Sequence, residues 1–126
     1  MITISVPLSV VLGKKRYYLS LNNYRNWHFI VSNKLKELFT EQVFWENKDL
    51  FLNPVSEIKS MEYQLFFPDS RRRDKMNFIS VIDKFFLDVL VKKKFIVDDN
   101  DDFVGETIIK KPLIDKKNPR CEITIF

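Results

Sequence analysis

The stretch Asn77–Val91 constrains this chain more than any other. On a helical wheel at about 100° per residue, Phe78, Ile79, Val81, Ile82, Phe85, Phe86, Val89 and Leu90 cover most of the circumference. A helix apolar over so much of its surface has to be buried by other elements. The remaining residues, Asn77, Ser80, Asp83, Lys84 and Asp88, fall within one arc of roughly 140° at that pitch, with Asn77, Lys84 and Asp88 nearly in line. Such an arc is ordinarily a solvent face. If it faces a cleft, its charges need partners, whether each other, a metal or a substrate, because an unpaired buried charge is expensive.

The rest of the chain supplies the cover. Ile2, Ile4, Val6 and Leu8 alternate with Thr3 and Ser5, the pattern of a half-buried strand. Asn22 or Asn23 is the predicted N-cap of a helix carrying Trp27, Ile30, Val31, Leu35, Leu38 and Phe39 at helical spacing to about Val43. After a break at Asn53-Pro54, Met61, Tyr63, Leu65 and Phe67 alternate as a second strand. Lys92-Lys93-Lys94 suits the C-terminal end of the 77–91 helix, where cations complement the helix dipole. Phe95-Ile96-Val97 is a short apolar run, and Val104–Lys111 and Glu122–Phe126 read as two final strands. The order β-α-β-α-β-β predicts an α+β (mixed α/β) fold, a single layer of sheet with helices on one face. At 126 residues this is one domain, 1–126, with 12 Phe as its main core fillers.

Composition removes several classes of chemistry. A single cysteine, Cys121, excludes a disulfide framework and a multi-cysteine zinc site, and is expected as a small buried residue. A single histidine, His28, leaves no His-rich metal site and suits a structural or surface polar role. No run approaches the ~20 apolar residues of a membrane span, and no secretory signal is visible, so a reducing, cytoplasmic compartment is expected. The excess of 21 Lys+Arg over 17 Asp+Glu permits an anionic partner without requiring one. Any chemistry has to run on carboxylates and lysines.

Two charged segments flank the 77–91 helix. Arg71-Arg72-Arg73 stands immediately before Asp74, and Asp98-Asp99-Asn100-Asp101-Asp102 follows the helix. The acidic run is not an EF-hand loop: Phe103 sits where glycine is needed and Ile109 where the bidentate glutamate belongs. Basic runs and acidic loops are each usually solvated surface. Together they match what phosphodiester hydrolysis needs, cations for phosphates and carboxylate oxygens for a divalent metal that activates water. Lys14-Lys15-Arg16 is a second basic patch, and Tyr17, Tyr18 and Trp27 are either core aromatics or platforms for unpaired bases.

Three stretches carry a family likeness: Phe67-Pro68-Asp69-Ser70-Arg71-Arg72-Arg73-Asp74-Lys75-Met76-Asn77, then Asp83-Lys84 to Asp88-Val89-Leu90, then Phe95-Ile96-Val97-Asp98-Asp99. With Val6-Pro7-Leu8 and Arg16-Tyr17-Tyr18, the chain resembles the RusA family of Holliday-junction resolvases over nearly its whole length. The resemblance implies a RusA-like homodimer that uses Mg²⁺, or Mn²⁺, to nick four-way DNA junctions symmetrically in recombination and repair, within a bacterial or phage-infected cell. It carries the family's essential aspartates onto Asp74 and Asp99 and its helix lysine onto Lys84. Asp98, Asp83 and Asp88 are further candidate metal ligands, Asn77 is a supporting residue, and Arg71, Arg72, Arg73, Lys14, Lys15 and Arg16 are the DNA contacts. Met76 departs from the family pattern. It stands where a second aspartate precedes the Asn, and a thioether is a poor ligand for hard magnesium. The Asp74-to-Asp88 gap is also longer by about four residues, about one helical turn. Either Asp83 or Asp88 replaces the missing carboxylate, or the protein keeps junction binding with weak or no cleavage. A protein-binding regulator with a merely solvated acidic loop is a further alternative.

Overall fold

The computed structural model describes residues 1–126. Its strands are β1 (Ile2–Val6), β2 (Ser9–Leu12), β3 (Lys15–Tyr18), β4 (Ile58–Phe67), β5 (Val104–Ile109), β6 (Leu113–Ile114) and β7 (Arg120–Ile125). Its helices are α1 (Leu21–Tyr24), α2 (Phe29–Glu46) and α3 (Lys75–Lys92), with a 3₁₀ turn at Lys48–Leu52. The main sheet runs β1-β7-β4-β5, with β6 also alongside β4. β7 is antiparallel to both of its neighbours, whereas β5 and β6 lie parallel to β4. A parallel pair needs a long crossover, and α3 provides it between β4 and β5. The fold is α+β.

Alternation decides which face is covered. In β4, Met61, Tyr63, Leu65 and Phe67 are buried, as are Cys121, Ile123 and Ile125 of β7 and Ile4 and Val6 of β1. Glu62, Gln64, Glu122 and Thr124 take the opposite, more accessible face. Ile58 and Met61 both point inward although three residues apart. The reason is a bulge: the Lys59 N–H donates to the Phe126 carbonyl while the Phe126 N–H donates to that of Ser60, each at 3.0 Å, so two β4 residues oppose one. At the other edge, Gly105 packs so close to β4 that any Cβ would overlap the Lys59 carbonyl oxygen.

α3 lies in the core as its wheel demands, with Ile79, Val81, Ile82, Phe85, Phe86, Val89 and Leu90 buried. Phe39 of α2 meets Phe85 edge-on at 5.6 Å. One apolar cluster of 27 buried residues joins the sheet, α2 and α3. α3 ends where Lys94 adopts φ 63°, a left-handed residue just past a helix, and the Phe95 N–H returns to the Leu90 carbonyl at 2.8 Å. Buried Phe95 and Ile96 then fix the exit of the chain toward Asp98. No helix is long and apolar enough to cross a membrane.

Two features depart from the expected order. The helix expected from Asn22 or Asn23 to Val43 is split. Ser20 caps α1, and His28 caps α2 by accepting the Ile30 N–H on Nδ1 at 3.2 Å. Trp27 sits between the two helices, edge-on to Tyr17 and Tyr24. The expected basic patch at 14–16 lies in a hairpin, β2–β3, whose strands are too short to show a clear alternation. Gly13, at φ 65°, opens its two-residue turn, where only a positive φ lets the strands close tightly.

Candidate nucleic-acid interface

The loop from β4 to α3 is folded by its own charges. The Asp69 carboxylate accepts the Arg71 N–H at 2.9 Å and the Arg73 guanidinium at 2.8 Å. Those contacts, Arg73 foremost, hold the Asp69 carboxyl below the usual carboxylate range. Arg73 also lies over the Phe67 ring, 4.9 Å from its centroid. It is thereby fixed and partly neutralised, while Arg71 and Arg72 stay exposed.

Two adjoining concavities open beside this loop. The larger, about 1070 Å³, has an apolar floor including Leu8, Val10, Phe67 and Phe78, with Arg16, Arg71 and Arg73 among its lining. The smaller, about 630 Å³, is lined by Arg25, Arg72, Arg73, Asn77 and Ser80 among others. Tyr18, Arg73 and Phe78 belong to both. Arg16 is steered there by donating to the Ser9 hydroxyl at 2.8 Å, a neutral partner that leaves its charge free. Arg25 was not singled out from the sequence: it is an isolated cation between Tyr24 and Asn26, and only the turn after α1 brings it to the others. Lys14 and Lys15 line neither concavity. Lys14 is in the hairpin turn, and Lys15 sits 4.9 Å from the Tyr17 ring centroid.

Asp74 stands at the same end. It is the N-cap of α3, its Oδ1 accepting the Met76 N–H at 3.0 Å. Asn77 Oδ1 accepts the Asn22 N–H at 3.1 Å and so ties α1 to α3. Met76 is 43% exposed, with no carboxylate in its place.

The other acids gather elsewhere. Asp88, Asp98 and Asp99 line a hollow with Lys36, Thr40, Val91 and Lys92, and Lys36 lies 3.9 Å from the Asp88 carboxylate. Asp83 is half-buried and receives a hydrogen bond from the Tyr63 hydroxyl. Burial raises the Asp83 carboxyl above the usual range, with a further push from Asp99, against the opposing pull of Tyr63. Desolvation, a hydrogen bond with Asp98 and the charges of Asp98 and Asp88 raise Asp99 likewise. Lys84 lies 5.4 Å from the Tyr24 ring centroid; burial of the Tyr24 phenol is outweighed by Lys84 and Lys36, which lower its pKa.

Asp83, Asp88, Asp98 and Asp99 therefore share one neighbourhood that Asp74 does not join. At 1.5 Å per residue, the fourteen residues from Asp74 to Asp88 span about 21 Å of helix. The structure does not bring Asp74 and Asp99 to one hollow: Asp74 lines the concavity at the start of α3, whereas Asp99 lines the hollow beside Asp88, Val91 and Lys92 toward its end. Carboxylate oxygens suit magnesium or manganese chemically, but no three His, Cys, Asp or Glu side chains converge as a ligand group. Cys121 is fully buried, and burial pushes its thiol up to about 12, which makes it inert. No family model matches this sequence, and no curated protein matches it.

Proposed function

We propose that the protein binds DNA through its phosphate backbone, along the arginine-lined concavities between the β2–β3 hairpin and the start of α3. The observation that carries this is the meeting of Arg16, Arg25, Arg71, Arg72 and Arg73, drawn from three separate segments of the chain, on two joined hollows. Gathered cations repel one another, and an anionic ligand relieves that repulsion; the guanidinium fork suits phosphate. Phosphate contacts position a protein without reading sequence, and the likeness to the RusA family makes a four-way junction the branched form to test. A homodimer with a two-fold axis would match the symmetry of such a junction. The test is a gel-shift comparison of a synthetic four-way junction with a linear duplex of the same sequence, at low salt and in chelator. Retarded junction complexes support the proposal, and no DNA affinity at low salt refutes it.

The pairwise proximity of Asp99 to Asp83, Asp88 and Asp98, with the likeness to the RusA family, motivates a second reading on the same fold, magnesium- or manganese-dependent endonuclease activity of the Holliday-junction resolvase type. Both Asp83 and Asp99 are held above the usual carboxylate range, in part by neighbouring acids, a repulsion that a divalent cation relieves. Nicking of the labelled junction with either metal, abolished by Asp99→Asn, supports it. Absence of products at every metal concentration, with binding intact, leaves the backbone-binding function standing alone.

A further inference from the structure

We propose that the larger concavity is the seat of an unpaired nucleotide, so that the preferred ligand is DNA with unstacked bases at a branch or gap. This rests on the backbone-binding function above and adds the class of base presentation. A surface that holds only duplex phosphates needs charge and no apolar recess. Here the arginines rim a hollow of about 1070 Å³, just above the range of roughly 300–1,000 Å³ typical of ligand clefts. Its floor includes Leu8, Val10 and Phe78.

Three features fit a base flanked by phosphates. Tyr18 is 52% exposed and stands at the junction of both hollows. Its backbone is fixed by pairing with Ser9 across the hairpin, so its ring offers a stacking platform held by a strand. Arg16 and Arg71 lie on the larger hollow and Arg25 and Arg72 on the smaller. Phosphates on both sides of an inserted base therefore meet cations, whereas the base meets carbon. The one carboxylate on the larger hollow, Asp69, is already bound by Arg73 at 2.8 Å, and the one on the smaller, Asp74, accepts the Met76 N–H at 3.0 Å as the cap of α3. Base stacking on an aromatic side chain tolerates any sequence, in keeping with a ligand recognised by its form.

The test uses fluorescence anisotropy with three labelled probes of equal length: a fully paired duplex, the same duplex interrupted by a run of unpaired thymines, and a third in which those thymines are abasic. The abasic probe keeps the phosphates and the flexibility and removes only the bases. Preference for the thymine probe over the abasic probe by about tenfold, the scale of one stacked base, is the expected result. Tyr18→Ala should erase that preference and Tyr18→Phe should retain it, which separates loss of the ring from loss of the fold. Equal affinity for the thymine and abasic probes overturns the insertion proposal while leaving backbone binding in place. Failure to bind any of the three probes at low salt overturns both.

Discussion

Salt is the most direct probe of the arginine groove, because its effect can be counted. Of the five arginines on the two hollows, Arg73 is committed to Asp69, which leaves four free to replace counterions. With a slope of about −0.9 in log affinity per log salt for each duplex phosphate neutralised, four contacts give about −3.6. Raising salt from about 50 to about 200 mM should then weaken binding about 150-fold. Arg72→Ala removes one contact, so its slope should flatten to about −2.7 and the same change of salt should cost about 40-fold. Asp69→Asn works in the opposite direction: it releases the Arg73 charge and should steepen the slope toward about −4.5. The assay is anisotropy of a labelled four-way junction titrated at several salt concentrations. A slope near zero, or slopes indifferent to both substitutions, would refute the proposed counting of charges and with it this location of the interface.

Four further outcomes test the structure. Asp74→Ala removes the N-cap of α3 and should cost about 1 kcal/mol, read as a lower thermal midpoint, whereas Asp74→Asn keeps the capping oxygen and should stay near wild type. Gly105→Ala forces β5 away from the Lys59 carbonyl and should destabilise by about 1–3 kcal/mol; an unchanged denaturant midpoint counts against the close approach. Lys94→Gly relieves the left-handed residue after α3 and should stabilise by roughly 1 kcal/mol, the cost of αL for a residue with a Cβ, checked by chemical denaturation. Asp83 has a folded-state pKa above its unfolded value, so its charge opposes folding. That cost is fully present above the folded pKa and fades as pH falls toward the unfolded one. Asp83→Asn keeps an acceptor for Tyr63 and should raise the thermal midpoint at neutral pH, with the gain shrinking in acid; a lower midpoint at neutral pH contradicts this account.

Much of the fold was legible because two periodicities are strong. The alternation Met61-Tyr63-Leu65-Phe67 and the nearly all-round apolar wheel of 77–91 each specify an element and its burial, and both elements are where the pattern put them. The β2–β3 hairpin was harder to see. Its strands are four residues each, and Lys14-Lys15-Arg16 draws attention as a charge patch although Gly13 marks a turn. The break between α1 and α2 was hidden for a different reason: Trp27 keeps helical spacing with Ile30 and Val31 but turns to meet Tyr17 and Tyr24 edge-on. The candidate site was only partly legible. Spacing put Asp83 and Asp88 on one arc, and the turn after α3 brought Asp98 and Asp99 to them. Nothing in a linear pattern reports that α3 holds Asp74 a helix-length away, or that Arg25 joins the arginines; both follow from how the elements pack.

The placement of β7 has a consequence for biosynthesis. It lies in the middle of the sheet, between β1 and β4, yet it follows every other strand in the chain. While a ribosome is still adding Arg120–Ile125, β1 and β4 each present a raw edge with no partner, and the bond-forming groups of both are open to a neighbouring nascent chain. Completion of this layer waits on a strand made after all its neighbours, and until that strand docks the growing protein is open to mispairing at both edges.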